Sequence, residues 1–373
     1  MGRSGRLSIP IFLVVLRYAT YHQKGFPFQS LTQISTQPKL SYMNRILFAL
    51  LLFSGLTSHS QGIAPVNKNA SPEAKKLLSY IYSIYGKQML SGQHNYNENM
   101  DRFSDSVQAI TGKRPAVWGT DFIWNGTKDP GQRIVDESIK KSKEGYLITL
   151  MWHQGRPTDN APYGWKESIQ GKLTDIEWKQ LITPGTEINK RWLAQIDQIA
   201  EHLKKLKDAN VPVLWRPYHE MNGVWFWWGN KKGKDGVAKL WQMMYDRYTN
   251  YHKLNNLIWV WGANGPRDIP KDEAFAYKDF YPGHQFVDIL GTDVYNADYE
   301  QRDYNELLSL AQGRPIALTE VGELPKGEIL DAQPKWAWFL VWSSWLWTHN
   351  TKERVKEVYN RPTTLTVDEL IKK

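Results

Sequence analysis

The chain contains no cysteine in its 373 residues, which excludes disulfides, a thiolate metal site, a cysteine nucleophile and a lipid-anchored amino-terminal cysteine. Its stability must come from the core. Acidic residues are absent from the first sixty positions, which hold six basic ones. The formal charge of +9 therefore falls to +3 from Gln61 onward, too little for the basic face of a nucleic-acid binder. The chain also lacks an apolar run of the about 20 residues that a membrane span needs. Metal-ligand spacing such as H-E-x-x-H is missing, so neither a catalytic metal nor a cofactor is expected. After the first sixty residues no stretch rich in Ser, Gly or Pro divides the chain, and one domain is the simplest organisation.

What is present begins with a leader. Met43-Asn-Arg, an apolar run over 46–56 and the small polar residues up to Ser60 have the charged start, apolar middle and small-residue exit of a secretory signal. Residues 43–60 are expected to be a signal peptide cleaved near Gln61, and 1–42 an upstream extension or leader outside the fold. The expected product, 61–373, is one domain, secreted or periplasmic, free of the membrane and monomeric.

From Ser71-Pro-Glu, read as a capped helix start running to about residue 85, helical and strand-like stretches alternate. Eight β-like runs occur at 88–94, 115–122, 146–153, 211–220, 257–263, 287–295, 315–321 and 336–345. Helical patterns separate most of them, among them 102–110, 134–143, 187–209, 237–252 and 304–311. That alternation predicts an α/β fold, a parallel (β/α)8 TIM barrel with its functional groups where the strands end. The strand ends concentrate polar and aromatic residues: G-Q-H-N, G-T-D-F, M-W-H-Q, Y-H-E-M, W-G-A-N, G-T-D-V-Y, L-T-E-V and V-W-S-S-W.

The stretch 215–229, W-R-P-Y-H-E-M-N-G-V-W-F-W-W-G, sets Glu220 among six aromatic rings, a histidine and an arginine. Burial there raises a carboxyl's pKa, as a general acid near neutral pH requires. A core ion pair between Arg216 and Glu220 is the structural alternative. Read as extended chain, Trp225 to Trp228 alternate faces, and some of these rings line the mouth, where flat apolar faces suit sugar stacking. A second carboxylate, Glu320, ends the apolar strand P-I-A-L-T-E-V-G at 315–322. Strands four and seven face one another across part of the barrel mouth, so Glu220 and Glu320 can converge. A rim charge or helix cap is the alternative for Glu320, and Glu323 fits that part better. Two carboxyls roughly 5 to 5.5 Å apart support glycoside hydrolysis with retention, one attacking the sugar carbon and the other protonating the leaving oxygen. Glu320 is assigned as nucleophile and Glu220 as acid/base.

The two motifs W-R-P-Y-H-E-M-N-G-V-W-F-W-W-G and L-T-E-V-G together resemble glycoside hydrolase family 26, chiefly β-mannanases, and the resemblance covers nearly all of 71–373. It implies a retaining endo-β-1,4-mannanase whose partner is a β-mannan polysaccharide or oligosaccharide: mannan, glucomannan or galactomannan. Exo action releasing mannobiose, or action on β-1,3-xylan or mixed-linkage β-glucan, is the runner-up, and a non-catalytic sugar-binding protein comes last. The resemblance also makes the glutamate of the H-E pair the acid/base and that of T-E-x-G the nucleophile, in agreement with the residue-level reading. His153 and Trp225 are implied as substrate contacts, Tyr295 as the tyrosine near the nucleophile and Trp342 as the ring under the sugar being cleaved. Trp165 matches a distal stacking tryptophan. His219 stands where many related barrel families carry asparagine, and Arg216 and Asp293 complete the expected substrate-binding set. For His153 the alternative is a core histidine bonded to backbone. Trp342 and Trp345 can also read as outer-layer packing, one facing each way. Asp121 and Asp293 share the context G-T-D, where an acid either serves the site or braces the rim.

Overall fold

Strands buried on both faces must be apolar at consecutive positions, and the runs at 257–263 and 315–321 have that character. The computed structural model describes residues 64–122 and 131–371; the expected extension, signal segment and cleavage point lie outside them. Among the described residues, eight parallel strands form a barrel: β1 (Gly92–His94), β2 (Val117–Phe122), β3 (Leu147–Trp152), β4 (Val213–Arg216), β5 (Leu257–Asn264), β6 (Ile289–Val294), β7 (Ile316–Val321) and β8 (Trp336–Val341). Each pairs with the next, and β8 returns to β1 through Gln93 and Val341. The expected (β/α)8 barrel is what the chain forms.

The two faces of β5 show how the core is divided. Leu257, Trp259 and Trp261 join the large cluster beneath the surrounding helices, whereas Ile258 joins a smaller one inside the barrel. That inner cluster takes Val117, Leu214, Ile289, Ala317 and Ala337 from the starts of their strands, together with Ala74, Leu77, Leu78, Ile81 and Ile84 of helix Pro72–Ile84. This helix plugs the amino-terminal end and leaves the opposite rim open for chemistry. Its start is the one read from the sequence, with Ser71 accepting from the Ala74 amide at 3.2 Å and Pro72 in the first turn. Closure between β1 and β8 is tight. A Cβ at Gly92 would sit 2.4 Å from the Phe339 carbonyl oxygen, so glycine is required for the strands to meet.

Element ends depart from the sequence reading in informative places. β4 stops at Arg216 rather than continuing to 220, because Pro217 has no N–H for the ladder and Tyr218 and Glu220 take left-handed backbone with φ of 45° and 54°. β8 stops at Val341 rather than 345, with Ser343 at φ 28° and a short helix, Trp345–Thr348, beginning at once. The helical stretch expected over 237–252 is an α-helix, Val237–Asp246, that widens into a π-turn, Arg247–Tyr251.

Candidate active site

Both glutamates lie at the carboxyl-terminal rim, on different supports. Glu320 is held within β7, where a β-bulge opposite Thr292 and Asp293 puts it in register with Asp293 of β6. Its Oε2 accepts from Arg216 Nη2 at 2.5 Å, and its Oε1 accepts from the Tyr295 hydroxyl. Arg216, the last residue of β4, gives its Nη1 to Asp293 Oδ2 at 2.7 Å, and Thr319 donates to the other Asp293 oxygen at 2.7 Å. One guanidinium thus serves two carboxylates in a setting where Arg216 is 2% and Asp293 0% exposed. Burial and the nearby Glu320 charge push the Tyr295 hydroxyl well above its usual range, which keeps its proton available for donation.

Glu220 has no such cation. It stands four residues beyond β4 in a turn whose left-handed residues each cost about 1–3 kcal/mol, so the surroundings must hold them. They do so through tryptophan. Trp228 Nε1 donates to the His219 carbonyl at 2.8 Å, Trp227 Nε1 to the Gln154 carbonyl at 2.8 Å, and Trp192 Nε1 to the Tyr218 hydroxyl at 2.8 Å. The Glu220 amide reaches back to the Gly262 carbonyl of β5 at 2.8 Å. The carboxylate itself accepts from Trp225 Nε1 at 2.6 Å and Asn264 Nδ2 at 3.0 Å. Arg267 bonds Asn264 at 2.5 Å and lies 4.9 Å over the Trp225 ring. Burial, reinforced by the Glu320 charge, pushes the Glu220 carboxyl up to about 7 despite these neutral donors.

A row of imidazoles crosses the mouth. His153 donates from Nδ1 to Asp121 at 2.6 Å, and its Nε2 faces His219 Nε2 at 3.1 Å, so one ring donates to the other. Burial holds His219 well below its usual range and therefore neutral. Trp165 begins a π-turn in the loop after β3, half-buried, with its ring 5.1 Å from that of His153. Trp342 is half-buried beside β1, and Trp345 packs edge-on against Tyr295 at 4.8 Å. A Cβ at Gly322 would meet both Trp345 and Tyr295 within 2.7 Å, so glycine lets these rings close beside the nucleophile candidate.

One sequence expectation, the alternation of the four aromatics, needs correction, and several of the structural alternatives fall away. Arg216 and Glu220 form no ion pair with one another, since the arginine is committed to Asp293 and Glu320. The four aromatics after Glu220 do not alternate along a strand. Phe226, Trp227 and Trp228 are buried props of the turn, and only Trp225 is partly open. His153 is tied to side chains rather than backbone, and Glu320 is no rim charge at 5% exposure. Glu323 does brace the rim, accepting from the Ala297 amide at 3.1 Å. Trp345 lies beside the site as Trp342 does, so the pair does not split between mouth and outer layer. Asn264 was visible in W-G-A-N at a strand end, but nothing in its spacing tied it to a glutamate 44 positions earlier. Glu220, Asp293 and Glu320 bring one oxygen each within 4.8 Å of one another, the only group of three among the described residues close enough to hold a cation; Arg216 already supplies positive charge to two of them.

A barrel with two buried glutamates converging over its carboxyl-terminal mouth, one raised and one held by a guanidinium, has the architecture of a glycoside hydrolase. The model for glycosyl hydrolase family 26 matches residues 66–369, and the chain belongs to that family. GH26A from a Muricauda species is 62% identical in sequence, covers 81% of this chain and 99% of its own, and superposes with a TM-score of 0.80. A mannan endo-1,4-β-mannosidase of Thermothelomyces thermophilus is 36% identical over 82% of this chain and 62% of its own length. One of the same description from Bacillus subtilis is 29% identical over 87% of this chain and 93% of its own. The chain spans less than two thirds of the first curated relatives it matches, 62%, 50% and 53% of their lengths.

Proposed function

We propose that the protein is a retaining endo-β-1,4-mannanase. The observation that carries this is the approach of Glu220 and Glu320, whose nearest oxygens lie within 4.8 Å, close to the roughly 5 to 5.5 Å of retaining sites and short of the roughly 6.5 to 9.5 Å of inverting ones. Mannan is chosen because the curated relatives are described as mannan endo-1,4-β-mannosidases. Glu320 attacks the anomeric carbon while Glu220, protonated near neutral pH, gives its proton to the leaving oxygen. Glu220 then takes a proton from the water that releases the sugar.

The remaining residues divide by depth. Trp165, Trp225 and Trp342, which are partly open, offer ring faces to the chain of sugars, and His219 offers its unpartnered Nδ1 while His153, bonded through both nitrogens, holds that ring in place. Arg216 and Asp293 lie beneath Glu320 and Tyr295 beside it, so their part is to fix the nucleophile, with Arg216 alone supplying positive charge. Residues 43–60 direct export and are removed.

The test separates the two steps. With Glu220→Ala and an activated aryl glycoside, which needs no proton to leave, the first step survives and a covalent glycosyl-enzyme accumulates. Azide then restores turnover and yields a β-glycosyl azide. An α product from this variant means the two glutamates are reversed, and no rescue in either glutamate variant removes the retaining mechanism.

A further inference from the structure

The first barrel strand ends in G-Q-H, and its histidine has no part in the chemistry derived so far. His94 is wholly buried, yet it lies flat against Trp342, with ring centroids 4.0 Å apart and planes 22° from parallel. Its Nδ1 meets the Ser343 hydroxyl at 2.6 Å, while its Nε2 is buried with no hydrogen-bond partner among the described residues. Neighbouring groups grip the same segment. Gln93 Nε2 donates to the Val341 carbonyl at 3.1 Å, and the Tyr96 hydroxyl bonds Ser344 at 3.1 Å with its ring edge-on to Trp342. Between them, Ser343 is held at φ 28°, a left-handed conformation that a side chain strains and that neighbours must maintain. Gly92 lets β1 come close enough for this clasp, because any Cβ there would strike the Phe339 carbonyl.

We infer that His94 is a positioning residue: with Ser343, it sets the plane of Trp342 and thereby the surface on which the reacting sugar rests. This rests on the proposed mannanase reading for what Trp342 contacts, though not for the clasp itself. Trp342 directly follows the last barrel strand, and its amide donates to the Val321 carbonyl of β7 at 2.9 Å, which holds the backbone but leaves the angle of the ring to what lies behind it. A flat ring at van der Waals distance restrains tilt in a way an aliphatic side chain does not. Burial keeps the imidazole neutral, pushing its pKa down to about 3, so the support does not change with pH across the working range.

A double-mutant cycle on a linear β-1,4-mannan oligosaccharide tests this, using His94→Ala, Trp342→Ala and the pair, alongside crystal structures of the single variants. His94→Ala is expected to lower kcat/KM roughly three- to tenfold, the worth of one stacked pair, with the loss mainly in kcat. In the Trp342→Ala background the same change should cost less than about twofold, because its route of action is gone. His94→Phe, which restores a flat ring, should recover most of the activity with an unchanged pH profile, and covers the case in which His94→Ala does not fold. The Trp342 ring should be rotated in His94→Ala. A ring that stays in place, or an undiminished loss in the absence of Trp342, overturns the inference. Failure of the substrate reading looks different: the parent protein leaves the mannan oligosaccharide uncut while the ring still rotates in His94→Ala.

Discussion

Glu220 and Glu320 carry the same side chain a few ångströms apart, and the protein treats them oppositely. Glu320 sits inside a strand, bonded to the Arg216 guanidinium and the Tyr295 hydroxyl. Glu220 sits on a strained turn, bonded only to the neutral Trp225 indole and Asn264 amide, and its carboxyl is pushed up to about 7. Both are buried, so burial alone does not separate them. The difference lies in where the cation goes: Arg216 has two terminal nitrogens within reach of carboxylates and spends them on Asp293 and Glu320. On the proposed mechanism the carboxylate left without a guanidinium, whose pKa is raised, is the proton donor, and the one that the guanidinium holds in place is the nucleophile.

Removing the charged partner of this pair gives the largest effect. Glu320→Ala should slow turnover on mannan by about a hundredfold to ten-thousandfold in a protein that melts normally and still binds oligosaccharide. Near-parental activity in the folded variant would deny Glu320 its role. Arg216→Lys keeps the charge but cannot reach two carboxylates with one ammonium, so it should reposition Glu320 and lower kcat by up to about a hundredfold. Thermal melting should fall as well. If Arg216→Lys changes stability and leaves kcat alone, the guanidinium is a strut for Asp293 and does not define the nucleophile.

The Glu220 side responds more gently. Trp225→Ala should weaken oligosaccharide binding by about 1 kcal/mol through the lost ring face, read by calorimetry. A large drop in melting temperature with unchanged binding would assign that ring to the core instead. Smallest is a shift of pH dependence. On the proposed mechanism the acid must be protonated, so activity should fall as pH rises through the Glu220 value of about 7. The Asn264 amide favours the ionised form, so Asn264→Ala should raise that value and move the alkaline limb of kcat/KM to higher pH. Movement to lower pH would mean that another group sets the limb.

Much of this was legible in the chain. Eight apolar runs each ending in polar or aromatic residues fix a parallel barrel and place the chemistry at one rim, because strands buried on both faces have nowhere else to carry polar side chains. Glu320 was clear for that reason, as the glutamate closing the apolar strand P-I-A-L-T-E, while Asp121 and Asp293 close two others. Glu220 was visible as an acid among rings, but the rings themselves were misread. A period-two pattern assumes that the strand continues, and Pro217 with two left-handed residues ends it. The tryptophans at 227 and 228 therefore support the turn from behind, and Trp225 alone bonds the carboxylate.

By itself, then, the sequence determined the barrel, the rim and the two carboxylates, since each depends on local apolar pattern and on where it breaks. Tertiary structure decided their roles. Which glutamate receives Arg216, which ring leans on His94 and which asparagine reaches Glu220 depend on groups separated by 104, 248 and 44 positions. No periodicity encodes such pairings. They are set when barrel closure brings β1 against β8 and the end of β4 beneath β7, and they set proton affinity because electrostatic and hydrogen-bond energies depend on distance through space, not along the chain.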